Sequence, residues 1–197
     1  MARRWLLVTI STARATSTLR VYVWRRLRSL GGLYLQQSVC LLPENKSTKS
    51  AVDRLLARVA TEGGEGRRLR ISIADADQER QLIEAFRAER ADEYSEVCSR
   101  TPAFLEEIEM ERKRGRATYN EVEESEADLE RLQKWLKRIE ARDYFDSPGR
   151  AEAVAAISEC EDAFAEFERE ALAAEAPEAA AATEPTTSRR LRAVKGD

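Results

Sequence analysis

An α+β fold is predicted: a four-stranded antiparallel sheet carrying two helices, followed by a long all-helical segment. Three observations predict it. Four short runs of apolar or alternating residues, each of strand length, fall within the first 75 residues. Two segments between those runs repeat apolar residues at helical spacing. Beyond residue 75, every periodic segment has helical spacing.

The first run, residues 5–10, is apolar and partly β-branched, as a buried strand should be. Ser17 is placed to cap a helix in which Leu19, Val23, Leu27 and Leu30 recur at spacings of 4, 4 and 3. Gly31 and Gly32 stop it, because glycine enters the left-handed conformation without a Cβ clash. Residues 33–43 carry two strands joined tightly at Gln36, Gln37 and Ser38, and Pro43 ends the ladder for want of an N–H. Ser47 is placed to cap a second helix with Val52, Leu55, Leu56 and Val59 inward. After a glycine-rich loop at 63–66, residues 68–73 alternate basic or polar with apolar side chains, the pattern of a strand wet on one face. The order strand, helix, strand, strand, helix, strand is the split βαβ, or ferredoxin-like, arrangement. Both helices would cover one sheet face and leave the other for a partner, a second subunit or the rest of the chain.

The helical part begins at Asp75, which forms a capping box with Gln78 ahead of Leu82, Ile83 and Phe86. Thr101 and Pro102 predict a new helix start, and Thr118 with Glu121 a further capping box. Leu129, Leu132, Leu136 and Ile139 form one stripe. Ala153, Ile157, Cys160, Phe164, Phe167 and Ala171 form another, with a corner at 142–148 between them. The two stripes predict an antiparallel helical hairpin. From residue 173 Ala, Glu, Pro and Thr dominate without periodicity, the composition of a disordered tail. The expected organisation is therefore 1–75 as the ferredoxin-like module, 76–172 as the helical segment and 173–197 as the tail.

Composition limits the chemistry. The 197 residues are 43% hydrophobic and 35% charged, and they include no histidine. Histidine-based triads, histidine metal clusters and histidine pH switches are thereby excluded. Three cysteines, Cys40, Cys98 and Cys160, stand too far apart for a metal motif or a disulfide framework, and read as small buried apolar residues. The apolar run at 5–10 is too short for a membrane span or a signal peptide, so a cytoplasmic location is expected. The net charge of −3 conceals a division: 14 Lys/Arg face 4 Asp/Glu through Arg70, and 19 face 32 thereafter. Two such halves meet different partners or neutralise each other.

Arg20, Arg25, Arg26 and Arg28 lie off the apolar stripe of the first helix, with Arg67, Arg68 and Arg70 near the last strand. Planar guanidinium donors match phosphate oxygens, so the four helix arginines are the candidate nucleic-acid contacts. The bland reading is a solvated face, or one paired with the acidic helices of the same chain. An RNA-recognition motif needs stacking aromatics on its central strands, and Tyr34 followed by Gln36, Gln37, Ser38 and Val39 does not provide them. CRISPR-associated endoribonucleases of this topology need an aspartate at the end of the first strand, where this chain has Thr9, Ile10, Ser11 and Thr12. Glu121, Glu123, Glu124 and Glu126 lack the Glu-x-x-His partners of a di-iron bundle and read as a hydrated surface, with pairs such as Glu130 to Lys134. Trp135, Tyr144 and Phe145 read as the hydrophobic corner of the hairpin rather than a ligand pocket. No catalytic residue, metal ligand or cofactor is expected.

Two stretches carry a family resemblance. One comprises residues 5–8, 19–28 and 33–43; the other comprises 118–124, 129–145 and 150–153. Together, over roughly 4–172, they resemble the N-terminal domain of the ChrB regulators of bacterial chromate resistance. The first stretch alone is also similar to the PaaX-like repressors. The resemblance implies a regulatory, non-enzymatic role in chromate resistance, and a DNA-associated transcriptional regulator module is the favoured expectation. The alternative is an adaptor that pairs with a separately encoded C-terminal ChrB-like domain. Full-length members carry such a domain, and a stand-alone N-terminal domain ending in a tail is expected here. The expected partners are DNA, a second copy in a homodimer or the C-terminal ChrB-like protein, with no membrane. An oxyanion effector, chromate, belongs to the same expectation. The resemblance transfers no residue roles; the four arginines rest on their chemistry alone.

Overall fold

Strand β1 (Trp5–Ser11) lies inside a four-stranded sheet between β3 (Val39–Pro43) and β4 (Glu65–Ile71), and β2 (Leu33–Gln36) forms the edge beyond β3. All pairings are antiparallel, with Leu6 opposite Leu42 and Val8 opposite both Cys40 and Arg68. The order β2-β3-β1-β4, with α1 (Ser17–Ser29) and α2 (Lys46–Thr61) in the crossovers, is the ferredoxin-like topology. The computed structural model describes residues 3–12, 16–114 and 119–182, with side chains described through residue 174.

Alternation along β1 assigns its two faces. Leu6, Val8 and Ile10 pack with Cys40 and Leu42 beneath Leu19, Val23 and Leu27 of α1 and Val52, Leu55 and Val59 of α2. Full burial of each such side chain stabilises by about 1.5–3 kcal/mol before the entropy of ordering is set against it. Trp5 and Leu7 point the other way. They join Leu33, Leu41 and Ile71 under Leu82, Ile83 and Phe86 of α3 (Ala76–Arg114), with Phe145 beside them. The second face is thus covered by the chain's own later segments. Trp5 is fully buried, 5.7 Å from Phe86 and 5.8 Å from Phe145 by ring centroids, and its Nε1 donates to Glu79 at 2.8 Å.

Local signals set the helix ends. Thr16, one residue before the expected cap, accepts from Leu19 N. At the far end Gly31 N reaches Arg28 O and Gly32 N reaches Leu27 O, a Schellman closure with Gly31 at φ +68°. Asn45, not Ser47, caps α2: Asn45 Oδ1 accepts from Thr48 N while Thr48 Oγ1 accepts from Asn45 N. Thr48 is an unfamiliar third-position partner by sequence because the box usually closes with Glu or Gln. Asp75 caps α3 through Asp77 N and Gln78 N.

Helix α3 runs through Pro102, where a new start was expected. Pro102 has no N–H for the Cys98 carbonyl, so one ladder bond is absent. Buried Tyr94 and Val97 before it, and Phe104 and Ile108 after it, hold the helix on either side. Helix α4 (Tyr119–Glu140) follows, with Thr118 outside the described residues. Helix α5 (Arg150–Ala182) continues past residue 173, where the tail was expected to start, and residues 183–197 lie outside the described part.

By packing, the chain divides into two compact units, 1–100 with 132–157, and 101–131 with 158 onward. The first unit runs past the sheet into the helices, because Leu82, Ile83, Phe86 and Phe145 complete the sheet's second face. In the first unit Tyr94 and Val97 meet Leu136 and Ile139 of α4 and Ala153 and Ile157 of α5, with Trp135 half-buried against them. In the second unit Leu129, Cys160, Phe167 and Ala171 are buried, and Arg112 grips Glu170 bidentately at 2.6 and 2.9 Å. Among the described residues no helix is long and apolar enough to cross a membrane.

Candidate nucleic-acid interface

Helix α1 positions the candidate arginines. Its stripe of Leu19, Val23 and Leu27 faces the sheet, so residues off that stripe are turned to solvent or to the helix flanks. Arg20 and Arg28 share one flank at successive spacings of four, with Trp24 between them. Arg25 is exposed beside this row, and Arg26 is half-buried on the opposite flank. The helix therefore brings Arg20, Arg25 and Arg28 to one side and separates Arg26 from them.

Their counter-charges differ. Arg20 Nε reaches Thr12 Oγ1 at 3.4 Å. Arg28 lies 3.8 Å from Glu89, and its guanidinium sits 5.6 Å from the centre of the Trp24 ring. Among the described residues, Arg20, Arg25 and Arg26 have no carboxylate partner. Strand β4 contrasts with this: Arg68 is paired with Asp53 at 2.7 Å and Arg70 with Glu44 at 2.7 Å. Two of the three β4 arginines are thus neutralised locally, while three of the four on α1 have no described counter-charge. Arg26 and Arg28 also stand in the last turn, where they complement the negative end of the helix dipole.

A groove of about 930 Å³ opens between α1 and the β2–β3 hairpin. Trp24, Val21 and Tyr34 line it with Ile10, and Gln36, Gln37, Ser38, Ser11 and Thr12 supply its polar wall. Arg20 is its charged lining residue, and none of the described lining residues is a carboxylate. Trp24 is 50% exposed and Val21 45%, large apolar surface for a helix whose buried stripe is elsewhere. The Tyr34 phenol is pushed up to about 12 by burial and by Cys40 nearby, and Arg28 opposes the shift, so it stays protonated at neutral pH. Reading the sequence for charge missed Trp24. The available signal was an indole off the 19/23/27 stripe, one turn from an arginine on either side.

The expected cluster of Trp135, Tyr144 and Phe145 separates into two places. Trp135 packs with the helices, while Phe145 joins the aromatic group at Trp5 and Tyr144 Oη donates to Leu30 O at 2.7 Å. Next to that bond Arg90, 3% exposed, lies between Glu89 and Glu93, and Arg142 pairs with Glu93 at 2.9 Å. Cys40 and Cys160 are buried and Cys98 is half-buried, and none of the three forms a disulfide. Burial pushes Cys40 up to about 12 and Cys160 up to about 11, the environment of packing residues and not of nucleophiles.

The family model described as "Protein ChrB, N-terminal" matches residues 20–178, which is most of the chain. The chain belongs to this family. The ChrB N-terminal match starts at Arg20 and so contains all four candidate arginines, the groove-lining Trp24 and the whole β2–β3 hairpin, while β1 precedes it. Protein ChrB of Cupriavidus metallidurans is 32% identical over 92 residues, a stretch that covers 47% of this chain and 28% of that protein. The matched stretch therefore spans less than a third of the relative's length. No solved structure matches the chain.

Proposed function

We propose that this chain is a non-catalytic regulatory module of bacterial chromate resistance that contacts DNA phosphates through Arg20, Arg25, Arg26 and Arg28 of its first helix. Membership of the ChrB N-terminal family supports the regulatory setting. The observation that carries the DNA reading is the contrast between α1 and β4. Arg68 and Arg70 on the strand are already paired, while Arg20, Arg25 and Arg26 on the helix have no described carboxylate partner and leave guanidinium donors open to an outside anion. Phosphate contacts of this kind position a protein on a duplex without reading its bases.

Fluorescence anisotropy with a labelled duplex from the promoter of the neighbouring operon tests the proposal. Binding should weaken steeply as salt rises, because each neutralised phosphate releases condensed counter-ions. Absence of binding at low salt, or an affinity indifferent to salt, would refute it. A second reading, docking of a separately encoded C-terminal ChrB-like protein, is favoured by Met110 and Leu172, which are 50% and 63% exposed. Co-purification with the product of an adjacent gene distinguishes that reading, and the arginine replacements should leave it intact.

A further inference from the structure

We propose that the groove between α1 and the β2–β3 hairpin binds a nucleotide, an aromatic base with its phosphate, either free or as an unpaired residue of a strand. This goes beyond contact with duplex phosphates and does not depend on it. Three features of the groove converge on that ligand class. Its exposed aromatic is Trp24, an indole whose flat face is the best available platform for a base. Arg28 is held against the same ring at 5.6 Å, so cation and π-surface are already placed together before any ligand arrives. The opposite wall presents Gln36, Gln37 and Ser38, whose amide and hydroxyl groups supply both donors and acceptors for a base edge.

Charge selects the anion. Arg20 stands at the groove with its Nε turned to Thr12 Oγ1, and no described lining residue opposes a phosphate. The volume, about 930 Å³, lies within the range of small-ligand sites. An acidic peptide would satisfy Arg20 equally well, but the joint presence of a stacking platform and an amide-rich wall favours a planar base over a peptide backbone. Duplex DNA keeps its bases stacked and would leave Trp24 unused.

Intrinsic fluorescence of the full chain provides the test. Trp5 is fully buried and Trp135 packs among the helices, so quenching by an aromatic ligand reports on Trp24. The probes are adenosine monophosphate, a short single-stranded oligoadenylate, inorganic phosphate and an oligoglutamate peptide. Saturable quenching by the monophosphate, absent with inorganic phosphate, supports the proposal for the free nucleotide. Saturable quenching by the oligoadenylate alone supports it for an unpaired strand. Trp24→Ala, followed by calorimetry because the reporter is gone, should weaken binding about tenfold or more, and Arg20→Ala should weaken it while leaving the reporter in place. Gln37→Ala, at the exposed turn, gives an independent variant with intact fluorescence and should also reduce affinity. Failure of both nucleotide probes to bind the folded chain, or binding unchanged in all three variants, would overturn the proposal. So would saturation by oligoglutamate without any nucleotide binding, which would make the groove a peptide site. Duplex anisotropy in the same variants separates the two proposals, since Trp24→Ala should leave duplex affinity unchanged.

Discussion

Tyr144 Oη donates to the carbonyl oxygen of Leu30 at 2.7 Å, joining the corner after α4 to the last carbonyls of α1. Leu30 is the C-terminal cap of α1, and its carbonyl is beyond the reach of the helix's own ladder. Removing the hydroxyl in Tyr144→Phe leaves that half-buried acceptor without this donor. A loss of about 1–2 kcal/mol is expected. Urea denaturation should show a lower midpoint with an unchanged slope.

Gly31 and Gly63 both have positive φ, +68° and +79°, yet their surroundings differ. A Cβ on Gly31 would stand 2.9 Å from Arg142 Cβ and 3.0 Å from Arg90 Nη1, whereas one on Gly63 would meet nothing within 4 Å. Gly63→Ala should therefore cost only the left-handed backbone strain, about 1–2 kcal/mol. Gly31→Ala adds a clash with a nearly buried arginine and should cost distinctly more. Thermal melts of the two variants side by side measure the difference, and equal losses would contradict the packing at Gly31.

Asp143 accepts from Tyr94 Oη at 3.1 Å, Ser147 Oγ at 2.8 Å and Ser147 N at 3.0 Å. Burial pushes its carboxyl up, but these bonds and the one from Phe145 N outweigh burial and hold it below its ordinary value. A carboxyl lower in the folded than in the unfolded chain contributes stability above the unfolded value, and that contribution is lost as pH falls through the folded one. Denaturation midpoints taken from about pH 6 to about pH 2 should fall more steeply for the native chain than for Asp143→Asn.

Arg20→Ala and Arg25→Ala, which remove arginines without a described carboxylate partner, should each reduce the salt slope of duplex binding by about 0.9. Arg68→Ala should leave the slope unchanged, because Arg68 is already bound to Asp53. The three variants need one anisotropy series at several salt concentrations. A slope that drops equally for all three would mean general charge loss and not contact through α1.

Much of the fold is legible in the sequence because its signals are local. The 19/23/27 spacing, the apolar run at 5–10 and the paired glycines at 31 and 32 each act over a few residues, and each is found where expected. Asn45 was missed because two neighbouring polar residues, Asn45 and Ser47, offer competing caps, and only the reciprocal bond with Thr48 decides between them. Pro102 misled for a related reason. A missing N–H predicts a boundary, but packing on both sides outweighed one lost bond.

By itself, then, the sequence determined the strand and helix order, the absence of imidazole chemistry and the surplus of arginine on the first helix. It could not say which arginines remain free, because Asp53 and Glu44 reach Arg68 and Arg70 from other elements. Nor could it say that α3 and Phe145 cover the sheet's second face, or that Trp24 faces an open groove. Those outcomes depend on contacts between residues far apart in the chain, and only tertiary packing brings such residues within reach of one another.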